Sequence, residues 1–510
     1  MRKNSISPDL LFKETHGPEL LANTHPANWR NPAPKDKYNL VVIGAGPAGL
    51  VAARGAAELG ASVALVERNL IGGDCLIMGC VPSKAILRSS RLYAEMHDAR
   101  NFGAPVPTEI DVDFPAAMER MRRLRGRLSG YDSVGRLHEE GIDVFFGNAR
   151  FTGPEAVSVD GVTLRFQKAM IATGARPKTP DIPGLAEVGY LTNETVFDLI
   201  HQPKRLLVIG GGPLGCELAQ AFCRLGIEVI LAQDDPMFLP GEERDAAQIL
   251  SDALAQDGIE IHLNSPVVAV RLEHGQKVAD IINDGDKRTI VVDEILTGVG
   301  RAPNVEGMDL EAAGVAYDTG TGIVVNDFLQ TTNKRIYAAG DVCLQHKFTH
   351  SAEASARIVV RNALFLGRKR LSALNIPWCT YTDPEIAHVG IYVREAREKR
   401  IPVKTFTILM HDVDRAVLDG EEEGFVKIHV REGSDRIVGA TIVARHAGEM
   451  INGITMAINS GIGLRALAQV IHPYPTQTSA IKLAADAYNR TRLTPLLRAL
   501  SKWWLAKGRA

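Results

Sequence analysis

Two glycine-rich turns, each set between an apolar strand and a helix, predict an α/β fold with two Rossmann-like domains. From residue 376 the pattern changes to strands alternating with helices, which predicts a separate C-terminal α+β domain. A chain of 510 residues is long enough for several domains. The predicted segments are an N-terminal extension (1–37), a first Rossmann-like domain in two parts (38–190 and 301–375), a second Rossmann-like domain (191–300), the α+β domain (376–489) and a basic amphipathic tail (490–510).

The first glycine-rich turn has the parts of a dinucleotide-binding unit. The glycines that follow the apolar strand Tyr38–Ile43 are Gly44, Gly46 and Gly49. In this motif the first glycine makes the tight turn, the second lets a pyrophosphate approach the backbone, and the third lets the helix pack on the strand. Glu67 ends the next strand, where a carboxylate can bind a ribose hydroxyl. The turn therefore predicts a dinucleotide site.

The second glycine-rich turn has the same glycine spacing and follows the apolar segment 206–209. Its glycines are Gly210, Gly212 and Gly215. The position that corresponds to Glu67 holds Gln233, which is neutral. A second dinucleotide site is therefore predicted over residues 191–300.

Two dinucleotide sites in one chain indicate a bound cofactor and a cosubstrate, most simply FAD and NADH or NADPH. A carboxylate at Gln233 would repel the extra phosphate of NADPH, and a nearby arginine would attract it. The segment 228–241 contains neither lysine nor arginine, and Asp234 and Asp235 follow Gln233. These residues favour NADH.

The segment 72–84 reads GGDCLIMGCVPSK and holds two cysteines, Cys75 and Cys80. A dithiol beside a flavin can carry two electrons onward. Gly73 lets the backbone come close to a large ring, and Lys84 can lower a thiol pKa. A structural disulfide and half of a zinc site are the alternatives, but no second cysteine pair completes a zinc site. The flanking nucleotide motifs favour a redox pair.

Composition is that of an ordinary globular protein, with 45% hydrophobic and 23% charged residues. The net charge of −2 argues against binding to nucleic acid. Six cysteines do not form a disulfide scaffold in a chain of this length, so a reducing compartment is expected. No secretory signal core and no long apolar run are present, and we expect a cytoplasmic protein.

Over Tyr38 to Asn489 the chain resembles the pyridine nucleotide–disulfide oxidoreductases, which include dihydrolipoamide dehydrogenase, glutathione reductase and mercuric reductase. Three further motifs carry the resemblance: Ala172-Thr173-Gly174, Gly298 to Asn304, and Tyr337 to Asp341. The resemblance implies FAD on the first Rossmann-like domain, NAD(P)H on the second, and a C-terminal dimerisation domain in a homodimer.

The resemblance also implies residue roles. Hydride would pass from NAD(P)H to the flavin, Cys80 would form the charge-transfer thiolate, and Cys75 would be the interchange thiol that meets the substrate. Lys84 would lie at flavin N5, paired with Glu217, and Asp341 would bind the ribityl chain. Further residues expected to bind a cofactor are Arg68, Thr173, Gly174, Gly300, Arg301 and Gly340.

The C-terminal site departs from the disulfide reductases, in which the partner chain supplies a histidine and an orienting glutamate. Anchoring on Pro475-Thr476 puts Tyr474 at the histidine position and Ser479 at the glutamate position. The alternative is a shifted register, with His472 as the base and Gln477 facing it. Tyrosine at this place resembles mercuric reductase, although the C-terminus lacks that enzyme's cysteine pair.

The sequence thus predicts an FAD-dependent NAD(P)H oxidoreductase that reduces a metal ion, mercury(II) or copper(II), or another thiol-reactive acceptor. A substrate metal would meet Cys75, Cys80 and Tyr474, and no structural metal is expected. A disulfide reductase and a membrane-surface redox sensor are the alternatives. Two minor hypotheses concern the other cysteines. One takes Cys343, His346 and His350 as further ligands for a soft metal. The other takes Cys216, Cys223 and Cys379 as cysteines buried as small hydrophobic residues.

The tail is predicted to form a helix, capped by Thr494 with Pro495 in its first turn. Its apolar residues recur at helical spacing: Leu496, Leu497, Leu500, Trp503 and Trp504. All its charges are positive: Arg490, Arg492, Arg498, Lys502, Lys507 and Arg509. Such a helix suits peripheral contact with the inner face of a membrane, or an acidic partner. The alternative is a helix docked on its own domain.

Overall fold

The computed structural model describes residues 16–107, 110–283 and 285–507. Arg509 of the tail and residues 1–15 of the N-terminal extension lie outside these ranges. In the described part of the chain, no helix is both long enough and apolar enough to cross a bilayer.

The chain divides into two compact units. The first comprises the residues up to Pro236 together with Gly258–Leu374, and the second comprises Met237–Asp257 with the residues from Asn375 onward. The finer domain boundaries drawn from the sequence stay a prediction.

A seven-stranded sheet forms the centre of the first Rossmann-like domain. Its strands are β1 (Tyr38–Ile43), β2 (Val63–Glu67), β3 (Ile142–Phe146), β4 (Ala149–Gly153), β5 (Ala156–Val159), β6 (Val162–Ile171) and β18 (Ile336–Ala338). Parallel pairing runs in the order β3-β2-β1-β6-β18. The first half of the long β6 pairs antiparallel with β5, and its second half lies between β1 and β18. The apolar strand predicted over Tyr38–Ile43 is confirmed.

The second Rossmann-like sheet has four parallel strands. In sheet order they are β10 (Glu260–His262), β9 (Glu228–Ala232), β8 (Arg205–Ile209) and β14 (Glu294–Thr297). Three small antiparallel sheets accompany it in the first unit. They are β11 (Val267–Glu273) with β12 (Gln276–Asn283) and β13 (Asp286–Val292), β7 (Ala175–Pro177) with β15 (Arg301–Pro303), and β16 (Tyr317–Asp318) with β17 (Gly322–Ile323).

Helices cover these sheets, as expected for parallel strands buried on both faces. The helices of the first unit are α1 (Gly17–Thr24), α2 (Pro47–Glu58), α3 (Gly73–Ile77), α4 (Cys80–Asp98), α5 (Phe114–Ser129), α6 (Val134–Glu139), α7 (Leu185–Val188), α8 (Pro213–Arg224) and α10 (Thr349–Leu364). From α1, Leu20 and Leu21 are buried against Leu76 and Ile77 of the redox motif. The described part of the N-terminal extension therefore packs against the redox loop and stabilises it.

The second unit is α+β, as predicted. Its antiparallel sheet has the order β19 (Trp378–Thr380), β20 (Glu385–Gly390), β23 (Ile437–Ala444), β22 (Phe425–Arg431) and β21 (Val403–Leu409). Its helices are α9 (Arg244–Gln256), α11 (Val393–Glu398), α12 (Asp414–Asp419), α13 (Ala447–Asn459), α14 (Leu464–Leu467), α15 (Ser479–Thr491) and α16 (Pro495–Lys507). Buried residues of α13 and α15, including Ile454 and Ile481, join the sheet in one core.

Candidate active site

The first glycine turn is built by close backbone approach. A Cβ on Gly44, whose φ is +103°, would lie 2.4 Å from the carbonyl oxygen of Ala172, and a Cβ on Gly49 would lie 1.8 Å from the carbonyl oxygen of Gly44. Only glycine fits either position. The Ala45 N–H donates to Glu67 Oε2 at 2.8 Å, so the carboxylate at the end of β2 holds the turn at the start of α2.

The second glycine turn has the same construction. A Cβ on Gly210, with φ of +107°, would lie 2.8 Å from the Gly298 carbonyl oxygen, and a Cβ on Gly215 would lie 1.9 Å from that of Gly210. The Gly211 N–H donates to Gln233 Oε1 at 2.6 Å. Gln233 therefore takes the structural place of Glu67 without its charge, and Gly212 caps α8.

Reciprocal hydrogen bonds join the Ala172-Thr173-Gly174 motif to the motif that ends at Asn304. Thr173 Oγ1 donates to the Asn304 carbonyl oxygen at 2.7 Å, and Asn304 Nδ2 donates to the Thr173 carbonyl oxygen at 2.9 Å. The Asn304 N–H also donates to the Gly174 carbonyl oxygen at 3.0 Å. Strand β15, which follows Gly300, pairs with β7 beside them. These bonds tie the return segment of the chain to the first glycine turn.

The two cysteines of the redox motif lie on consecutive helices. Cys75 belongs to the short α3, and Cys80 is the first residue of the 19-residue α4, whose N-terminal N–H groups favour an anion. Both are free thiols, and Thr349 Oγ1 lies 3.4 Å from Cys80 Sγ. The hydrogen bond from Cys75 lowers the pKa of Cys80 to about 6, and Thr349 and Lys84 assist it. That same bond and burial raise the pKa of Cys75. Of the two thiols, Cys80 therefore loses its proton more readily.

Lys84 lies one helical turn after Cys80 on α4. Its Nζ is 2.8 Å from Glu217 Oε2 on α8, and the Glu217 side chain is buried. The ion pair therefore links the redox helix to the helix of the second glycine turn. A positive charge is held beside Cys80, where it stabilises the thiolate.

A second charge cluster adjoins the redox loop. Arg301 forms an ion pair with Asp74, and its Nε lies 3.7 Å from Asp341 Oδ2. Asn193 Nδ2 donates to Asp74 Oδ1 at 3.0 Å. Burial raises the pKa of both carboxyl groups. Asp74 directly precedes Cys75, so its ion pair with Arg301 fixes this end of the redox loop to the motif over Gly298–Asn304.

The residues present fit FAD. A Cβ on Gly46 would find only a backbone Cα of the redox motif within 4 Å, at 3.8 Å, which leaves bare backbone for a pyrophosphate. The buried Nε of Arg301 has no hydrogen-bond partner among the described residues, and buried Asp341 can accept bonds from hydroxyl groups. Glu67 stands where a ribose would bind, and the exposed Arg68 follows it.

The pyridine nucleotide-disulphide oxidoreductase family model matches residues 38–356, and the dimerisation domain model of that family matches residues 376–485. The chain belongs to this family. Its proteins use FAD and NAD(P)H. The dimerisation domain supports a homodimer.

Relatives of known activity match over most of the chain. Mercuric reductase of Staphylococcus aureus is 34% identical over 455 residues, covering 89% of this chain and 83% of that protein. Dihydrolipoyl dehydrogenase of Thermus scotoductus is 34% identical over 472 residues, covering 90% and 99% respectively. The Cu(II) complex of the HOCl-induced flavoprotein disulfide reductase of Escherichia coli has a TM-score of 0.78 at 27% identity, covering 87% of this chain and 98% of that one. These similarities support a general disulfide or metal reductase role.

The C-terminal candidates of this family member lie in the loop before α15. The Tyr474 side chain is exposed, and its hydroxyl donates to Asp414 Oδ2 at 2.8 Å, which raises the pKa of the phenol. His472 Nδ1 lies 3.1 Å from the Val470 carbonyl oxygen. Gln477 is buried and donates to Glu421.

The shifted register gains no support from these bonds. Gln477 Oε1 has no hydrogen-bond partner in the described part of the chain, so Gln477 does not orient the His472 ring there. Ser479, which takes the glutamate position in the other register, is the first residue of α15.

The remaining cysteines and histidines gain no support as soft-metal ligands from the described part of the chain. No group of three or more candidate ligands occurs among the described residues. His346 and His350 each stack on Phe348, with ring centroids 6.3 and 5.4 Å away. Burial raises the pKa of Cys343 to about 12. Cys216 is buried as predicted.

Full burial is wrong for Cys223 and Cys379, which are only partly covered.

Asp74, Asn193 and Thr349 were absent from the predicted site. Asp74 alone had a visible signal, since it is a charge next to Cys75 inside the redox motif. Thr349 approaches Cys80 from 269 residues away along the chain. A contact of that kind leaves no trace in local spacing.

Proposed function

We propose that this flavoprotein reduces a thiophilic metal ion, such as mercury(II) or copper(II), with electrons from NADH. Two observations carry the proposal. The pKa of Cys80 is lowered, and Tyr474 and Ser479 occupy the sequence positions at which the disulfide reductases have a histidine and a glutamate. A disulfide substrate needs a proton donor and acceptor for thiol exchange. A thiophilic cation needs deprotonated sulfur ligands instead.

The charges around the two cysteines suit that chemistry. FAD, when bound, would pass two electrons from NADH to the disulfide form of the cysteine pair. Oxidation of the pair, with Cys80 as thiolate and Cys75 as thiol, to a disulfide then releases two electrons and one proton, and two electrons reduce one mercury(II) ion to the metal or two copper(II) ions to copper(I). Cys80 loses its proton more readily, and metal binding displaces the proton from Cys75. Tyr474, from the C-terminal loop, is the proposed oxygen ligand.

The first test is anaerobic oxidation of NADH and of NADPH by FAD-loaded protein with mercury(II), copper(II), lipoamide and glutathione disulfide in turn. We expect sustained turnover with a metal ion and none with either disulfide. Cys75→Ala should abolish turnover while FAD stays bound. Turnover with the disulfides alone would overturn the proposal, and a single reduction without turnover would favour the redox sensor.

A variant pair isolates the tyrosine. Tyr474→Phe should lower kcat/KM for the metal ion, whereas Tyr131→Phe, at another exposed tyrosine, should leave it unchanged. Equal kinetics for both variants would remove Tyr474 from the site.

A disulfide reductase is the second candidate, favoured by the similarity to dihydrolipoyl dehydrogenase. In that case His472 is the base, and His472→Ala should abolish turnover with lipoamide or glutathione disulfide.

A further inference from the structure

The C-terminal helix α16 is formed, and the described residues of the chain bury none of its side chains. Thr494 Oγ1 accepts from the Leu497 N–H at 3.3 Å, and Pro495 opens the first turn, so the predicted cap is present. None of the thirteen residues of α16 is buried. The alternative that this helix docks on its own domain is therefore wrong.

The exposed surface of α16 is divided between apolar and basic sides. At 3.6 residues per turn, Leu496, Leu500 and Trp503 fall on one line of the helix, and Leu497 and Trp504 lie beside them. Their exposed fractions run from 48% to 71%. Two Trp and three Leu side chains in one face are a large apolar surface to leave in water.

The opposite side carries two cations and one further exposed leucine, Leu505. Arg498 and Lys502 lie about half a turn away from the apolar line. At the end of the helix, Lys507 Nζ lies 4.0 Å from the Trp503 ring centroid, so its ammonium group is held at the border of the apolar face.

The charge of the tail is opposite in sign to that of the whole chain. No aspartate or glutamate occurs after Asp486, whereas the protein as a whole has a net charge of −2. The described cations of the tail are Arg490, Arg492, Arg498, Lys502 and Lys507. A second copy of α16 would bring like charges together, but an anionic surface complements them.

We propose that α16 docks on an anionic phospholipid surface, with its Leu and Trp side chains in the headgroup–acyl boundary and its cations toward the lipid phosphates. The reductase would then work as a peripheral protein at a membrane. This inference is independent of the terminal electron acceptor.

The test is co-sedimentation of the FAD-loaded full-length dimer with vesicles of phosphatidylcholine alone and of phosphatidylcholine with phosphatidylserine. We expect binding only to the mixed vesicles, weakened by salt. Arg498→Glu with Lys502→Glu should weaken binding at least tenfold. The matched control, Arg397→Glu with Lys399→Glu, changes the charge equally at two exposed sites at the C-terminal end of α11 and should bind normally.

A second variant separates insertion from charge. Trp503→Ala with Trp504→Ala should also weaken binding at least tenfold and abolish the blue shift of tryptophan fluorescence on adding mixed vesicles. Equal sedimentation of the wild type and both tail variants would overturn the proposal. So would conversion of the dimer to monomers by the tail variants without vesicles, since α16 would then be a subunit contact. Turnover with a soluble acceptor should be unchanged in every variant.

Discussion

The hydrogen bond from Thr349 to Cys80 allows a sharp test of how this protein holds a thiolate. Thr349→Val keeps the shape of the side chain and removes the hydroxyl that lies 3.4 Å from Cys80 Sγ. A donor to an anion stabilises the charged form, so its loss must raise the thiol pKa. The Cys80 pKa starts at about 6.

The size of the shift follows from the geometry. A hydrogen bond to a charged group contributes about 1.5–3 kcal/mol, and the long contact to sulfur puts this one at the lower limit. Since one pKa unit corresponds to about 1.4 kcal/mol, the Cys80 pKa should rise by about one unit. At a pH above both values, the ratio of thiol to thiolate would then rise about tenfold.

The assay is a pH titration of the ultraviolet thiolate absorbance in a Cys75→Ser background, in which the serine hydroxyl keeps a donor to Cys80. A Cys75→Ser, Cys80→Ser protein supplies the blank for the remaining cysteines. Thr349→Ser is the matched control, and its titration should stay at the midpoint of the parent Cys75→Ser protein. An unchanged titration of Thr349→Val, or an equal shift in Thr349→Ser, would refute this account of the low pKa.

Three further outcomes are expected. Asp74→Asn removes a negative charge beside Cys80, so the Cys80 pKa should fall in the same titration, and a rise would contradict the assigned electrostatics. Gln233→Glu keeps the hydrogen-bond acceptor for the Gly211 N–H but adds a negative charge, so kcat/KM for NADPH relative to NADH should fall about tenfold. An unchanged ratio would mean that Gln233 does not determine the preference between NADH and NADPH. Arg125, 1% exposed, donates to the Ile77 carbonyl oxygen at 3.1 Å, so Arg125→Met should cost about 1–3 kcal/mol of stability in denaturant unfolding, and no loss would remove it as support for the redox loop.

Much of the fold and of the nucleotide sites was readable from local patterns. The strand before Gly44, the glycine spacing and the acid at Glu67 are close in sequence because one βαβ unit builds the whole turn. The same is true of Cys75 and Cys80, which a short loop brings to consecutive helices.

The electrostatics of the redox pair could not be predicted in the same way. Thr349 and Arg301 reach the redox motif from distant parts of the chain, and only the folded sheet brings their helix and strand to it. Burial then sets the pKa of the neighbouring carboxyl groups. The pKa of Asp74, for example, is raised because the folded protein excludes water from it.

For the tail, too, some properties follow from the sequence and others only from the tertiary structure. The sequence by itself determined a capped helix with apolar and basic sides, because capping and helical spacing are local properties. Only the tertiary structure decided that the described residues bury no side chain of α16, because burial depends on whether a distant surface can accommodate the helix. Sequence thus determined the nucleotide turns, the dithiol and the shape of the tail, and the tertiary fold decided which thiol is ionised and which apolar face is left exposed.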